Sequence, residues 1–349
     1  MGKEEALFNG FALQEEYLGN EKPINKVNPL VSVRVATYQH APFIANCLDS
    51  ILSQKTDFPF EIVVGEDESS DGTREICKKY AEKYPDKIRL FLRDRNLSQY
   101  YENGKVVARF NSRWNTMSCR GKYIAICEGD DYWAYEKKLQ KQADFLENNP
   151  NFSFCCGGYI AKNTITGETK TVIRSKSGNE DEHGFAFGLK DVKSKWLTKT
   201  LTTLYRKAAI DIELFNRYNF SRDIHFFYHL LVLGKGYYFK QVFGIYNVHP
   251  GGMNSMQQGK VNANAAYNSY KELYEFNRDE FTREKAIKST INLLNYNLYN
   301  KYPDNTLEKR LRLFKEAVLL TRNIKDFKSL LNAFVKREVK DRLKNSASE

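Results

Sequence analysis

Gly121-Lys-Tyr-Ile-Ala-Ile-Cys-Glu-Gly-Asp-Asp-Tyr-Trp133 decides how the chain is read. Tyr123 to Cys127 is an unbroken apolar run of a length that suits a buried strand. It runs directly into Glu128, Asp130 and Asp131. Neighbouring carboxylates repel one another, and a buried one needs a partner or a cation. Hard cations such as Mg²⁺ or Mn²⁺ take oxygen ligands, and phosphates can complete their shell. A solvated acidic turn is the plain alternative, and only the rest of the chain separates the two.

Upstream, Val31-Ser-Val-Arg-Val-Ala36 alternates as a strand does, and Thr37-Tyr38-Gln39-His40 is the loop after it. Pro42 opens a helix with Ile44, Leu48 and Leu52 on one face. Phe60 to Val64 is a second strand, ending in Gly65-Glu66-Asp67-Glu68. Asp71 or a neighbouring Ser caps the helix that carries Ile76 and Tyr80. Ile88 to Leu92 is a third strand. Residues 93–104 read as a polar loop, and Val106 to Cys119 as the helix leading into the opening strand. This alternation predicts a parallel sheet with right-handed crossovers. Ligands of such sheets sit beyond the carboxyl ends of the strands, which gathers Tyr38, Asp67 and Asp130 at one edge. No Gly-x-Gly-x-x-Gly follows the first strand, and no P-loop motif occurs anywhere.

Downstream, Lys137 to Asn149 reads as a helix, Phe152 to Cys156 as a strand, and 162–198 as loops. Leu201 to Tyr205 is a short strand and Asp223 to Leu233 an apolar helix. Asp223 in that first turn also suits the helix dipole. His249-Pro-Gly-Gly252 is a turn, and helical periodicity dominates from about Lys260. With 349 residues, 42% of them hydrophobic, the chain can bury a sizeable core. Its net charge of +11 favours an anionic partner. Six scattered cysteines with no Cys-x-x-Cys pair predict reduced core residues of a cytosolic protein. The first residues lack the apolar core of a signal peptide, and no run of 18 apolar residues occurs.

Three motifs stand in order: Val-Ser-Val-x-Val-Ala-Thr-Tyr, Glu-Asp-x-Ser-x-Asp-Gly-Thr, and Gly-Lys-Tyr-Ile-Ala-x-x-Glu-Gly-Asp-Asp-Tyr-Trp. Together they resemble family 2 glycosyltransferases, many of which build bacterial surface polysaccharides of the capsule or O-antigen type. The resemblance is specific over about 29–150, looser to about 256, and absent beyond. It implies an α/β GT-A fold: a Rossmann-like, mostly parallel sheet flanked by helices, here with a C-terminal helical extension. The expected domains are an arm (1–28), a catalytic domain (29–256, divided into 29–135 for the nucleotide and 136–256 for the acceptor) and a helical region (257–349).

Carried over by position, the resemblance gives Thr37 and Tyr38 the nucleotide base, and Tyr38 can stack on one. Asp67 would read the base or ribose. Arg109 resembles a basic helix residue facing the nucleotide; a solvated helix charge fits it equally. Asp130 would bind Mn²⁺ or Mg²⁺ directly. Glu128 takes the place where the family often has the first Asp of Asp-x-Asp, and would face the ribose or a metal-bound water. Asp131 would orient the sugar or the metal's surroundings. Asp223 resembles the catalytic base. His249 follows Tyr246-Asn247 where the family has Tyr-Arg, and would be a further metal or diphosphate contact.

The implied reaction moves a hexosyl group from a nucleotide-diphosphate sugar, a UDP-sugar first, to a glycan or lipid-linked acceptor, with inversion. A nucleotidyltransferase would share the crevice but needs a Gly-rich triphosphate loop, which Thr37-Tyr38-Gln39-His40 is not. A nucleic-acid-binding protein would account for the charge, yet acidic strand ends repel a phosphate backbone, and no nucleic-acid partner is expected. The expected location is cytoplasmic. The basic and apolar residues between Leu307 and Lys344 allow peripheral attachment to the inner membrane face, or equally packing as structure.

Overall fold

The computed structural model describes residues 2–19, 25–176, 181–193, 196–219, 222–252, 259–299 and 306–345. The chain divides into two compact units, Met1–Gly252 and Met253–Glu349.

The expected arm begins with a helix, α1 (Lys3–Ala12). Ala6, Leu7 and Gly10 recur on one face and are buried. Gly10 lies so close to the Trp114 ring that a Cβ would come within 2.6 Å of it. Trp114 Nε1 donates to the Leu7 carbonyl at 2.8 Å. The spacing was present in the sequence, but the polar residues around it hid the helix.

Strand β1 (Val31–Thr37), helix α2 (Ile44–Leu52), strand β2 (Phe60–Glu66), helix α3 (Thr73–Lys83) and strand β3 (Ile88–Leu92) follow the sequence reading closely. Pro42 lies in the turn before α2 instead of inside its first turn. The next stretch departs from expectation. Gln99–Glu102 (β4) and Lys105–Arg109 (β5) form an antiparallel hairpin where a loop and a helix start were expected. Asn103 and Gly104 at its tip have φ of 50° and 73°. An Asn-Gly pair that accepts positive φ at both positions is a strong short-range hairpin signal, and it outweighs the helical spacing of Val106 and Val107. Helix α4 is therefore only Asn111–Ser118. Asn111 Nδ2 donates to the Gly65 carbonyl and Asn115 Nδ2 to the Val35 carbonyl, both at 2.9 Å, fastening α4 across β1 and β2.

Strand β6 (Tyr123–Ile126) carries the opening motif, and β7 (Tyr132–Trp133) and α5 (Lys138–Asn148) follow. Beyond them come β8 (Phe152–Asn163), β9 (Thr169–Val172), β10 (Gly184–Phe187), β11 (Leu204–Arg206), α6 (Ile212–Arg217), α7 (Asp223–Leu233) and β12 (Lys235–Val248). Residues 162–198 are thus not all loop. β8 continues past its apolar half and pairs with the polar edge strand β9. β9 reads Thr-Lys-Thr-Val, with three of its four residues exposed, so it carries no burial signal.

Among the described residues, one sheet runs in the order β10-β12-β8-β11-β6-β1-β2-β3. β6, β1, β2 and β3 are parallel, which puts the carboxyl ends of β1, β2 and β6 on one edge. β11 joins antiparallel to both β6 and β8, and begins the mixed half.

The second unit carries α8 (Gly259–Asn277), α9 (Glu280–Tyr299), α10 (Leu307–Val318) and α11 (Ile324–Asn345). Leu294, Ala317, Leu330 and Ala333 form a small core within it. No helix of the described residues is long and apolar enough to cross a membrane.

All six cysteines are buried and free, as the sequence predicts. Less expected is Lys138, fully buried, its Nζ without a hydrogen-bond partner among the described residues and 4.1 Å from the Trp133 ring centre. Burial pulls its pKa down to about 7. An unfolded lysine keeps its proton to about pH 10. Between pH 7 and 10 the unfolded state therefore holds more protons, and stability rises with pH across that window. Lys138→Met is expected to stabilise the fold by roughly 2–4 kcal/mol at pH 7 and to flatten that pH dependence. Denaturant melts of both proteins at pH 6, 8 and 10 check it. A destabilised variant, or equal pH slopes, means that the lysine is solvated or paired.

Candidate active site

Backbone bonds bring the strand ends together. Asp67 N–H donates to the Thr37 carbonyl at 3.1 Å, and Gly129 N–H to the Ala36 carbonyl at 3.0 Å. Gly129 is required here because a Cβ would stand 2.6 Å from Thr37 Oγ1. The loop after β1 is tied to the loop before α3 through Gln39 N–H to Ser69 Oγ, His40 N–H to Thr73 Oγ1, and Ala41 N–H to Asp71 Oδ2. Asp71 Oδ1 also accepts from Thr73 N–H and Oγ1 at the start of α3, whose N-cap is Gly72 and not Asp71, so Asp71 fixes the crevice wall from just outside the helix.

On the β2 side, Asp67 is buried and held by two donors. Arg95 Nη1 reaches its Oδ2 at 2.7 Å, and Ser98 Oγ donates to its Oδ1. Burial raises this carboxyl above its usual range, against Ser98 and Arg95, which favour the ionised form. The Arg95 guanidinium lies 3.5 Å from the centre of the Tyr38 ring, which is 37% exposed. Tyr38, Arg95 and Asp67 therefore form one surface, aromatic and cationic at once.

Two expected residues are placed differently. Arg109 does not stand on a helix: it ends β5, exposed and opposite Gln99, because the hairpin takes that stretch. Arg95 supplies the basic group at Asp67. Thr37 is buried, with its hydroxyl 3.3 Å from His40 Nδ1 and its back against Gly129, so it shapes the loop more than it presents a side chain.

On the β6 side, Asp130 Oδ2 faces two imidazoles: His249 Nε2 at 3.2 Å and His40 Nε2 at 3.9 Å. Burial holds His40 below its usual pKa, and the neighbouring His249 adds to this against Asp130. Asn247 brings His249 in. Its Nδ2 donates to the Asp130 carbonyl at 2.6 Å, and its N–H to Asp131 Oδ1 at 2.8 Å. Phe43 packs on the His249 ring, 4.7 Å between centres. Asp131 is thus a buried clamp between the loop and β12, and burial together with Asp130 raises its carboxyl well above the ordinary range. Glu128 pairs with Arg34, Oε1 to Nη2 at 2.8 Å.

A carboxylate oxygen beside imidazole nitrogens is a donor set that fits a divalent ion. Among the described residues no three His, Cys, Asp or Glu side chains are grouped to hold an ion unaided. Substrate oxygens would complete the shell, as phosphates do for Mg²⁺.

Asp223 is the first residue of α7 and is exposed, its Oδ1 accepting the local Ile224 N–H at 2.9 Å. The Lys199 ammonium feels Asp131, Asp223 and Asp130 together, while burial lowers its pKa.

A parallel half-sheet closing on an acidic loop, extended by a mixed set of strands, defines a GT-A-type fold. S. aureus TarS in complex with UDP-GlcNAc matches it with a TM-score of 0.59 at 17% identity, over 90% of this chain and 92% of that one. The family model described as Glycosyl transferase family 2 matches residues 32–218, and the chain belongs to that family. EpsE of Bacillus subtilis, named as a glycosyltransferase, is 34% identical over 132 residues, 38% of this chain and 44% of EpsE. TuaG of the same organism, named for teichuronic acid biosynthesis, is 32% identical over 127 residues, 36% of this chain and 46% of TuaG. The chain spans from under a fifth to under half of the length of the curated relatives it matches.

Proposed function

We propose that the chain transfers a hexosyl group from a nucleotide-diphosphate sugar, a UDP-sugar first, to a hydroxyl of a glycan or lipid-linked acceptor in surface-polysaccharide assembly. One observation carries this reading. The Tyr38–Arg95–Asp67 surface and the Asp130–His249 pair meet across adjoining strand ends, a base-and-ribose subsite beside a diphosphate subsite. Tyr38 takes the base by stacking. Asp67, oriented by Arg95 and Ser98, accepts from the base or ribose. Asp130 and His249 would hold Mn²⁺ or Mg²⁺, which as a Lewis acid neutralises diphosphate charge. Asp223 takes the acceptor's proton as its oxygen attacks the anomeric carbon, and one displacement inverts that centre. In this reading 29–256 is the catalytic domain and 257–349 a helical appendage. Transfer and hydrolysis measured against a panel of nucleotide sugars with Mn²⁺ test it. Turnover of none of them, with no nucleotide bound, would remove the reading.

We also propose that α11 attaches the enzyme to an anionic lipid surface. Ile324, Phe327, Leu331 and Val335 recur at helical spacing and are exposed, Ile324 by 71%. Lys325 and Lys328 are exposed among them, and each such charge near an anionic surface adds about 1 kcal/mol. Full-length protein is expected to pellet with phosphatidylserine vesicles at low salt and to be released at high salt. Phe327→Glu with Leu331→Glu should abolish pelleting. Equal pelleting of both proteins, or of neither, leaves α11 a structural element.

A further inference from the structure

The Lys199 ammonium rests on β12 through the Tyr246 ring and feels the carboxylates of the acidic loop, Asp130 and Asp131, and of Asp223 at the start of α7. Its backbone is fixed: its carbonyl accepts from Thr202 N–H at 3.1 Å and from Thr203 Oγ1 at 2.8 Å. Two residues on, the Leu201 carbonyl accepts from Trp133 Nε1 at 3.0 Å, which couples the segment to the strand that follows Asp131. The ammonium lies 3.2 Å from the centre of the Tyr246 ring, and Tyr159 is 5.7 Å away on the same group. Tyr246 is the residue before Asn247, which clamps the Asp130–Asp131 loop. Among the described residues Lys199 forms no ion pair, although three carboxylates bear on it. A half-buried cation resting on an aromatic face, near carboxylates but paired with none, is a preorganised receptor for an anion.

The transferase reading, on which this inference rests, says which anion arrives. Asp223 marks the acceptor oxygen, and Asp130 marks the diphosphate. A cation within the field of both stands beside the bond that breaks. We propose that Lys199 contacts the β-phosphate of the donor and takes up the charge that develops on the departing nucleoside diphosphate. In that step the acceptor oxygen bonds to the anomeric carbon and its proton passes to Asp223. The bond from the anomeric carbon to the β-phosphate oxygen breaks, and its electron pair stays on that oxygen, facing Lys199. The residue binds substrate and also favours the transition state, because the oxygen gains charge only as the bond opens.

The test compares UDP and UMP binding by calorimetry, with and without Mn²⁺, for wild type, Lys199→Met and Lys199→Arg, alongside turnover. Loss of a charge-assisted contact to the β-phosphate should weaken UDP about tenfold or more in Lys199→Met, with and without the ion. UMP, which lacks that phosphate, should change less than about twofold by the same argument. Turnover should fall by about 10²–10³, and Lys199→Arg should recover part of both losses. Equal weakening of UDP and UMP, or a lost turnover with UDP binding intact, overturns the assignment while leaving the transferase reading standing. If wild type itself binds neither nucleotide, the transferase reading falls and this assignment with it.

Discussion

Asp130→Ala is expected to reduce turnover by about 10³-fold or more, and to abolish Mn²⁺ binding in the presence of the nucleotide diphosphate. The size follows from the charge. A diphosphate is a good leaving group only when its negative charge is neutralised, and a bound divalent ion contributes several kcal/mol of that, each 1.4 kcal/mol being tenfold in rate. Asp130 Oδ2 faces both His249 and His40. Its neighbours each have one oxygen held elsewhere. Asp131 Oδ1 is committed to the Asn247 N–H, and Glu128 Oε1 to Arg34. His249→Ala should be milder, weakening Mn²⁺ about tenfold or more while leaving measurable turnover, because its nitrogen would be one ligand among several that the substrate can complete. Calorimetric titration of Mn²⁺ into the diphosphate complex separates the two variants. Full turnover of Asp130→Ala, or of wild type in excess EDTA, would defeat the metal assignment.

The residues of this centre differ in how legible they were, for physical reasons. Asp130 and Asp67 announced themselves because carboxylates directly after a buried strand need an explanation, and strand direction then places both at one edge. The four parallel strands were legible for the same reason: apolar runs ending in turn residues carry their burial signal locally. Arg95 and Ser98 were not, since a polar loop with no periodicity says nothing of where it folds back. The hairpin just after them was signalled by Asn103-Gly104, and reading it would have taken Arg109 off the helix. Asn247 lay in plain view as a departure from the family's Arg. Its role became legible only when β12 was found beside the acidic loop, 116 residues away in sequence. His40 and Lys199 share that difficulty, because each acquires its meaning from a partner brought by tertiary structure. α1 was lost to composition, its three buried residues outnumbered by polar neighbours.

Asp223→Asn is expected to cut turnover by about 10² or more while donor affinity stays nearly unchanged. Asp223 sits at the first position of α7, where a carboxylate also has an ordinary structural use against the helix dipole. Magnitudes separate the two roles. An exposed dipole contact is worth about 0.3–1 kcal/mol of stability, and asparagine keeps the Oδ1 that accepts the Ile224 N–H. A purely structural Asp223 therefore predicts a slightly lower melting temperature and turnover within a few-fold of wild type. A general base predicts the reverse pattern: a fold nearly as stable, a donor still bound through Tyr38, Asp67 and Asp130, and an acceptor hydroxyl that keeps its proton. The exposure of Asp223 favours the second role, because a base must be reachable by an acceptor that enters from solvent. Steady-state turnover with donor and acceptor, donor affinity by titration, and thermal midpoints measured on the same preparations decide it. Collapse of donor affinity together with turnover would move Asp223 into the donor site, and turnover within a few-fold would return it to the helix.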